Sequence, residues 1–152
     1  MGNGRNSANY GTAVHEAAHV VVAWALGIYT DSVKIGVRGD DTAGVANHAN
    51  FGHLPLVDQI AIYWSGKQVQ RLLNAPTNDN ANARDVADIY ALVKDYPERE
   101  GAALRSAGTE RCGQLLQLHR DKLVLLADAV WQHGELDRLA IEQVLNDQSS
   151  KK

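Results

Sequence analysis

Two histidines four residues apart, His15 and His19, sit in "GTAVHEAAHVVVAWALG" (residues 11–27), with Glu16 directly after the first. On a helix, side chains at i and i+4 leave the same face one turn apart. That spacing lets two imidazole nitrogens reach one tetrahedral zinc ion at roughly 2.0–2.1 Å. Glu16 falls about 100° round the helix from His15, beside the metal rather than on it, where a carboxylate takes a proton from a water. Zinc lowers the pKa of a bound water toward ~7, and a glutamate so placed can hand the proton to a leaving amine. The neighbours Val14, Ala17, Ala18, Val20, Val21 and Val22 are all uncharged, so the helix is expected to be buried. The competing reading is a plain core helix carrying three polar residues. Each of those would need a partner, because an unsatisfied polar group in a core costs ~1–3 kcal/mol. A shared metal satisfies all three, which favours the zinc reading.

Two histidines are only two ligands. A third histidine six residues beyond the second is ruled out, since Ala25 stands there, and no glutamate occurs between Glu16 and Glu98. Glu98 itself follows a proline in a charged stretch. Aspartates remain: Asp31, Asp40, Asp41, Asp58, Asp79, Asp85 and Asp88. Asp40 and Asp41 read as turn residues and Asp31 as a strand entry. "NDNANARDVAD", at a helix start after a loop, is the best place for a ligand to face back, and spacing alone leaves Asp79, Asp85 and Asp88 open. His48 and His53 flank "ANFG" and could line the cleft, but read by default as solvated loop residues. His119 and His133 read as surface or capping residues.

The elements that must position these groups follow from periodicity and punctuation. Residues 1–11, rich in Gly and Asn, read as a flexible lead-in. A helix is expected from an N-cap at Thr12 to Leu26, stopped by Gly27. Val33, Ile35 and Val37 alternate with Ser32, Lys34 and Gly36 as in a half-buried strand. "RGDDTAG" is a turn, and "GVANHANF" a weaker second strand. Helical spacing then places Leu56, Ile60, Tyr63, Val69, Leu72 and Leu73 inward. "NAPTNDNAN" is a loop, and "ARDVADIYALVKDY" a helix closed by the restriction that Pro97 places on Tyr96. Residues 97–134 read as helical with interruptions at Gly101 and Gly108, and with Leu115, Leu116, Leu118, Leu123, Leu126 and Val130 on one side. A short helix over "GELDRLAIEQVL" closes a domain spanning 12–146, and 147–152 is a polar tail. The expected fold class is mainly α (α+β), with a small β element after the zinc-type helix.

At 152 residues the chain has the length of one domain with a real core. It is 45% hydrophobic, with 15 Lys+Arg against 18 Asp+Glu, so no basic stripe points to nucleic acid. The one cysteine, Cys112, can form no internal disulfide and reads as a small buried thiol. The longest apolar run is about half a membrane span and no signal-type segment is present, so a cytoplasmic protein without a membrane segment is expected.

Several segments together resemble the zinc peptidase domain of the FtsH-type AAA proteases. In that family a His-Glu-Ala-Gly-His helix precedes a strand ending in Arg-Gly, which "VHEAAHVVVAWALG" and "SVKIGVRGDDTAGV" match, with Ala18 in place of the glycine. "SGKQVQRLL" resembles the family's Gly-Gly-Arg-Ala-Ala-Glu-Glu-Leu helix, with Ser65 at the first glycine and Gln70 at the first glutamate. "TNDNANARDVADIYALV" corresponds to the segment whose aspartate is the third zinc ligand. The C-terminal helices resemble the family's closing segment, so the likeness covers about residues 10–146.

The resemblance implies a zinc metalloendopeptidase with one Zn2+ per chain, held by His15, His19 and Asp85, and with Glu16 as general base and acid. Asp85 is chosen because the helix after it aligns with the family's. A strand beside the zinc helix in such enzymes holds the substrate backbone, which would give Val33, Lys34, Ile35, Gly36 and Val37 that role; the competing reading is a strand that simply covers the helix. No phosphate-binding Gly-rich Lys-Ser/Thr loop occurs in the chain. The expected substrates are therefore peptides or unfolded proteins, with a homo-oligomer or a separate ATPase as partner. The alternative is an inactive peptidase-fold protein that binds a peptide or partner. A structural zinc domain would instead show a fourth protein ligand.

Overall fold

The computed structural model describes residues 7–77 and 79–147. Its elements are α1 (Ala8–Ala25), β1 (Thr30–Ile35), β2 (Gly44–His48), α2 (Leu56–Leu72), α3 (Asp79–Val93), α4 (Glu98–Leu118), α5 (Arg120–His133), β3 (Glu135–Asp137) and α6 (Arg138–Leu145). The architecture is mainly helical with one small antiparallel sheet, in agreement with the expected class.

α1 is the axis of the molecule. Every residue from Tyr10 to Ala23 is buried, because its small Ala and Val side chains let α2, α5 and β1 approach on different sides. The helix begins earlier than Thr12. Ser7 caps it, accepting from the Tyr10 N–H at 3.4 Å. Residues 8–11, expected to be flexible, are helical, and Tyr10 packs edge-on against Trp131 at 5.0 Å. Residues 1–6 of that lead-in and 148–152 of the polar tail lie outside the described residues. Thr12 lies inside the helix, where its hydroxyl donates to the Ala8 carbonyl at 3.1 Å and touches the Asp41 carbonyl oxygen at 2.7 Å.

β1 lies under α1 with Val33 and Ile35 buried. It is the central strand, in the order β2-β1-β3, antiparallel to both neighbours. Val33 pairs with Ala46 on one side and Leu136 on the other. The third strand overturns two expectations. "GELD" opens no helix; it follows a left-handed Gly134 into three sheet residues, and Asp137 then caps α6 by accepting from the Ala140 N–H at 2.9 Å. Val33, Lys34 and Ile35 therefore have both backbone edges occupied, and Gly36 and Val37 lead into a 3-10 turn instead of extending the strand. None of the five offers a free edge to a substrate. Among the described residues the outer edges of the sheet belong to β2 and β3.

α4 runs without interruption through Gly101 and Gly108. At Gly108 the missing side chain is a packing requirement, since a Cβ would lie 2.3 Å from Ile60 Cγ2. α2 and α4 are pressed together there. Leu118, expected inward, is 73% exposed because α4 ends at that residue and the chain turns into α5. α3 starts at Asp79, inside the expected loop, and buries only Asn82, Ile89 and Val93. Cys112 is fully buried, and burial pushes its thiol up to about 12. Among the described residues no helix is long and apolar enough to cross a membrane.

Candidate metal centre

α1 turns His15 and His19 toward the same point, and α3 brings Asp85 to meet them. His15 Nε2 and His19 Nε2 are 3.1 Å apart, and Asp85 Oδ2 is 3.0 Å from the first and 3.1 Å from the second. Among the described residues this is the one group of three or more His, Cys, Asp or Glu side chains gathered closely enough to hold a metal ion. The other aspartates weighed for the third position lie elsewhere. Asp31, Asp40, Asp41, Asp79 and Asp88 are exposed, and Asp58 pairs with Arg111 at 3.4 Å.

The donor set suits zinc. Ligand atoms bonded to one tetrahedral zinc at roughly 2.0–2.1 Å stand about 3.4 Å apart, so this near-equilateral triangle needs a few tenths of an ångström of opening. The hydrogen bonds behind it point the same way. His19 Nδ1 donates to the Ile62 carbonyl at 2.7 Å, with Ser65 Oγ at 3.0 Å, so the neutral ring presents a lone pair at Nε2. Asp85 Oδ2 is also an acceptor. Two acceptors 3.1 Å apart call for a cation between them, and a metal ion or a proton on His19 Nε2 can fill that place. Without a metal the proton takes it. Burial opposes charge on His19, but the hydrogen bond and charge of Asp85, with Glu16 assisting, override it and raise His19 to about 9. Burial likewise pushes Asp85 up, and the two histidines outweigh it and bring the carboxyl down to about 2.

The two rings are positioned by different means. His19 has the Ile62 carbonyl and the Ser65 hydroxyl, the latter donating to the same carbonyl at 2.6 Å. His15 Nδ1 has no hydrogen-bond partner among the described residues, and that ring is held by shape. Gly66 of α2 lies against it so closely that a Cβ would stand 2.3–2.6 Å from three ring atoms. Asp85 depends on a third device. Gln70 of α2, fully buried, donates to the Pro76 carbonyl at 2.8 Å and accepts from the Asn82 amide at 3.1 Å, pinning the turn of α3 that precedes Asp85.

Glu16 stands beside the triangle and outside the ligand group. Its carboxyl is raised, chiefly by burial, against the lowering pull of His19 and His15. It lies beneath β2, where Gly44 makes room: a Cβ there would be 2.8 Å from Glu16 Cγ and 3.0 Å from its Oε2. An open cleft of about 210 Å³ covers the cluster, walled by Gly44, Val45, Ala46 and His48 of β2, by Phe51 and Tyr63, and by Ala81 and Arg84 of α3. One water takes ~30 Å³, so a substrate group fits beside it.

Of the two histidines that flank "ANFG", His48 takes the less favoured of its two readings: it ends β2, is half-buried and lines the cleft, whereas His53 is exposed. Ser65, Gly66 and Gln70 stood out only as departures from or matches to a family motif. A glycine inside a helical pattern is itself a sign of close approach, and Gly66 is such a glycine. His119 stacks edge-on against Trp24 at 5.2 Å, and His133 is exposed, both far from the cluster in the fold. No protein-family model matches the sequence, and no curated protein matches it.

Proposed function

We propose that this protein is a zinc-dependent metallopeptidase, with His15, His19 and Asp85 as ligands and Glu16 as general base and acid. The observation that carries the reading is the convergence of three ligand-type atoms, 3.0–3.1 Å apart, next to a buried carboxylate that is not among them. No fourth protein ligand joins the group among the described residues, which favours a catalytic site with an open position over a structural one. The resemblance of the sequence to FtsH-type peptidase domains supports the same chemistry. Zinc bound there would supply Lewis acidity and a water of lowered pKa. Glu16 accepts the proton of the attacking water as its oxygen adds to the peptide carbonyl carbon. The same carboxyl then gives that proton to the amide nitrogen as the C–N bond breaks, returning Glu16 to its ionised form. Its raised pKa suits the second step, because a more basic carboxylate holds the proton long enough to deliver it.

Substrate placement moves from β1 to β2. Among the described residues the outer edge of β2 has no strand partner, and its residues Gly44 and Val45 wall both the metal cleft and a second recess of about 400 Å³ that continues past Ala81 and Arg84. An extended peptide added there would be held by main-chain hydrogen bonds, with little demand on its sequence.

The test is zinc content together with cleavage of an unfolded protein such as casein, for the wild type and Glu16→Gln. One zinc per chain with turnover lost in the variant is expected. One zinc per chain with no turnover in the wild type would remove the peptidase reading and leave a metal-bearing binding module. No zinc uptake at all would remove the metal centre as well.

A further inference from the structure

His48 takes no part in the metal cluster, yet its ring lines the same cleft. Its Nδ1 is 2.8 Å from Thr30 Oγ1, and its ring packs edge-to-face with Phe51, centroids 6.2 Å apart. Thr30 is 4% exposed, and among the described residues the imidazole nitrogen is the one partner its hydroxyl has. A buried hydroxyl proton without an acceptor costs ~1–3 kcal/mol, so Thr30 donates and His48 Nδ1 accepts. That assignment places the ring proton on Nε2. Among the described residues Nε2 has no hydrogen-bond partner, and it is not fully buried, so on a ring that lines the cleft it is available as a donor. Burial and the nearby His19 push His48 down to about 4, so the ring is uncharged at neutral pH.

We infer that His48 is a catalytic residue of the proposed peptidase: its Nε2–H, fixed in that tautomer by Thr30, donates a hydrogen bond to the oxygen of the scissile carbonyl as negative charge gathers on it. This rests on the metallopeptidase reading. The role needs a preorganised donor on the wall of the site, aimed at the position where charge develops. β2 supplies such a position, because the strand that carries His48 is also the edge along which the substrate carbonyl would lie. A neutral donor has an advantage here. It adds no positive charge that would compete with the metal for Glu16 or Asp85. Phe51 and Thr30 fix the ring from two sides, so little reorganisation is required as the charge forms. Removing one such donor lowers turnover by ~10²–10³-fold in enzymes that stabilise an oxyanion this way.

The experiment compares wild type, His48→Phe, His48→Gln and Thr30→Val, all zinc-loaded, on an internally quenched peptide. Zinc content is measured on each, and the histidine tautomers of the wild type are read by 15N NMR. His48→Phe keeps the packing on Phe51 and loses the donor. It should lower kcat by ~10²–10³-fold with KM little changed and zinc still bound. His48→Gln restores an amide donor and should recover part of the loss. Thr30→Val frees the ring to change tautomer and should give an intermediate kcat, and the wild-type spectrum should show His48 protonated at Nε2. A kcat for His48→Phe within threefold of wild type overturns the inference and leaves the peptidase standing. So does a loss of zinc in that variant, or an Nδ1-protonated ring in the wild type, which is decisive even if His48→Phe fails to fold. A zinc-loaded wild type that cleaves nothing overturns the peptidase reading and this one with it.

Discussion

Gly66→Ala tests the metal centre without touching a ligand. The new Cβ would stand 2.3 Å from His15 Cε1, 2.5 Å from Nε2 and 2.6 Å from Nδ1. Carbon atoms in contact rest at about 3.5–4.0 Å, so the ring must retreat by about 1 Å. α1 cannot retreat with it, since Ala13, Val14, Ala17 and Ala18 are all fully buried. Metal–ligand distances tolerate ±0.2 Å or so, and a shift of this size removes His15 from the triangle. Changes in the residues that merely orient a ligand cost ~10–100-fold in affinity, and displacing the ligand itself should cost more. Overpacking of ~1–3 kcal/mol is partly offset by alanine's better helix propensity of ~1 kcal/mol, so the variant should fold with a modestly lowered Tm. The assay is competition for zinc against a colorimetric indicator, with thermal unfolding of the metal-free protein. Gly101→Ala is the control: it sits in α4, and its Cβ would meet Val93 and Arg105 at an ordinary 3.5–3.6 Å. A folded Gly66→Ala with zinc affinity within threefold of wild type would refute the placement of His15.

Gly44→Ala should separate metal from base. Its Cβ would press on Glu16 and Thr12 at 2.8 Å while leaving the ligands alone, so zinc is kept and kcat falls at least tenfold. Asp85→Asn should weaken zinc binding by well over 100-fold, whereas Asp79→Asn and Asp88→Asn, both exposed, should match the wild type in the same titration. Stability of the metal-free protein should depend on His48 in acid. Its folded pKa is about 4, against 6.5 for the free side chain, so the unfolded state binds the extra proton. Stability is therefore complete above pH 6.5 and is lost as pH falls toward 4. The difference is at most about 3 kcal/mol, and this part of the decline should disappear in His48→Gln denaturation curves.

Where a signal is local, the sequence carried it; where it depends on what packs against what, it did not. The His-Glu-His spacing, the alternation through Val33 and Ile35 and the stop at Gly27 are local, and each appears in the fold. The start of α1 was misplaced because Ser7 and Thr12 are both good caps, and only the burial of Tyr10 against Trp131 selects the earlier one. β3 was missed because three residues carry no period, and their pairing partner lies about a hundred residues away. That omission also made β1 look like an edge. Gly108 read as a break because its reason, Ile60 of another helix, cannot be seen along the chain. His48 fell to the same limit. Its sequence allows both a cleft wall and a solvated loop, and the choice depends on β2 ending at the cleft.

α3 is thinly embedded, with one polar and two apolar residues buried, yet it carries a ligand 66 positions along the chain from His19. An ion held by His15, His19 and Asp85 would therefore act as a removable cross-link between the best-packed helix and one of the least. Such a link stabilises only the closed arrangement, and its strength rises with the concentration of free metal. Native-state hydrogen exchange should show α3 opening on its own in the stripped protein and moving with the core once the ion is restored, while α1 is protected in both. The helix completing the site would then report on metal supply, loosening first wherever zinc runs short.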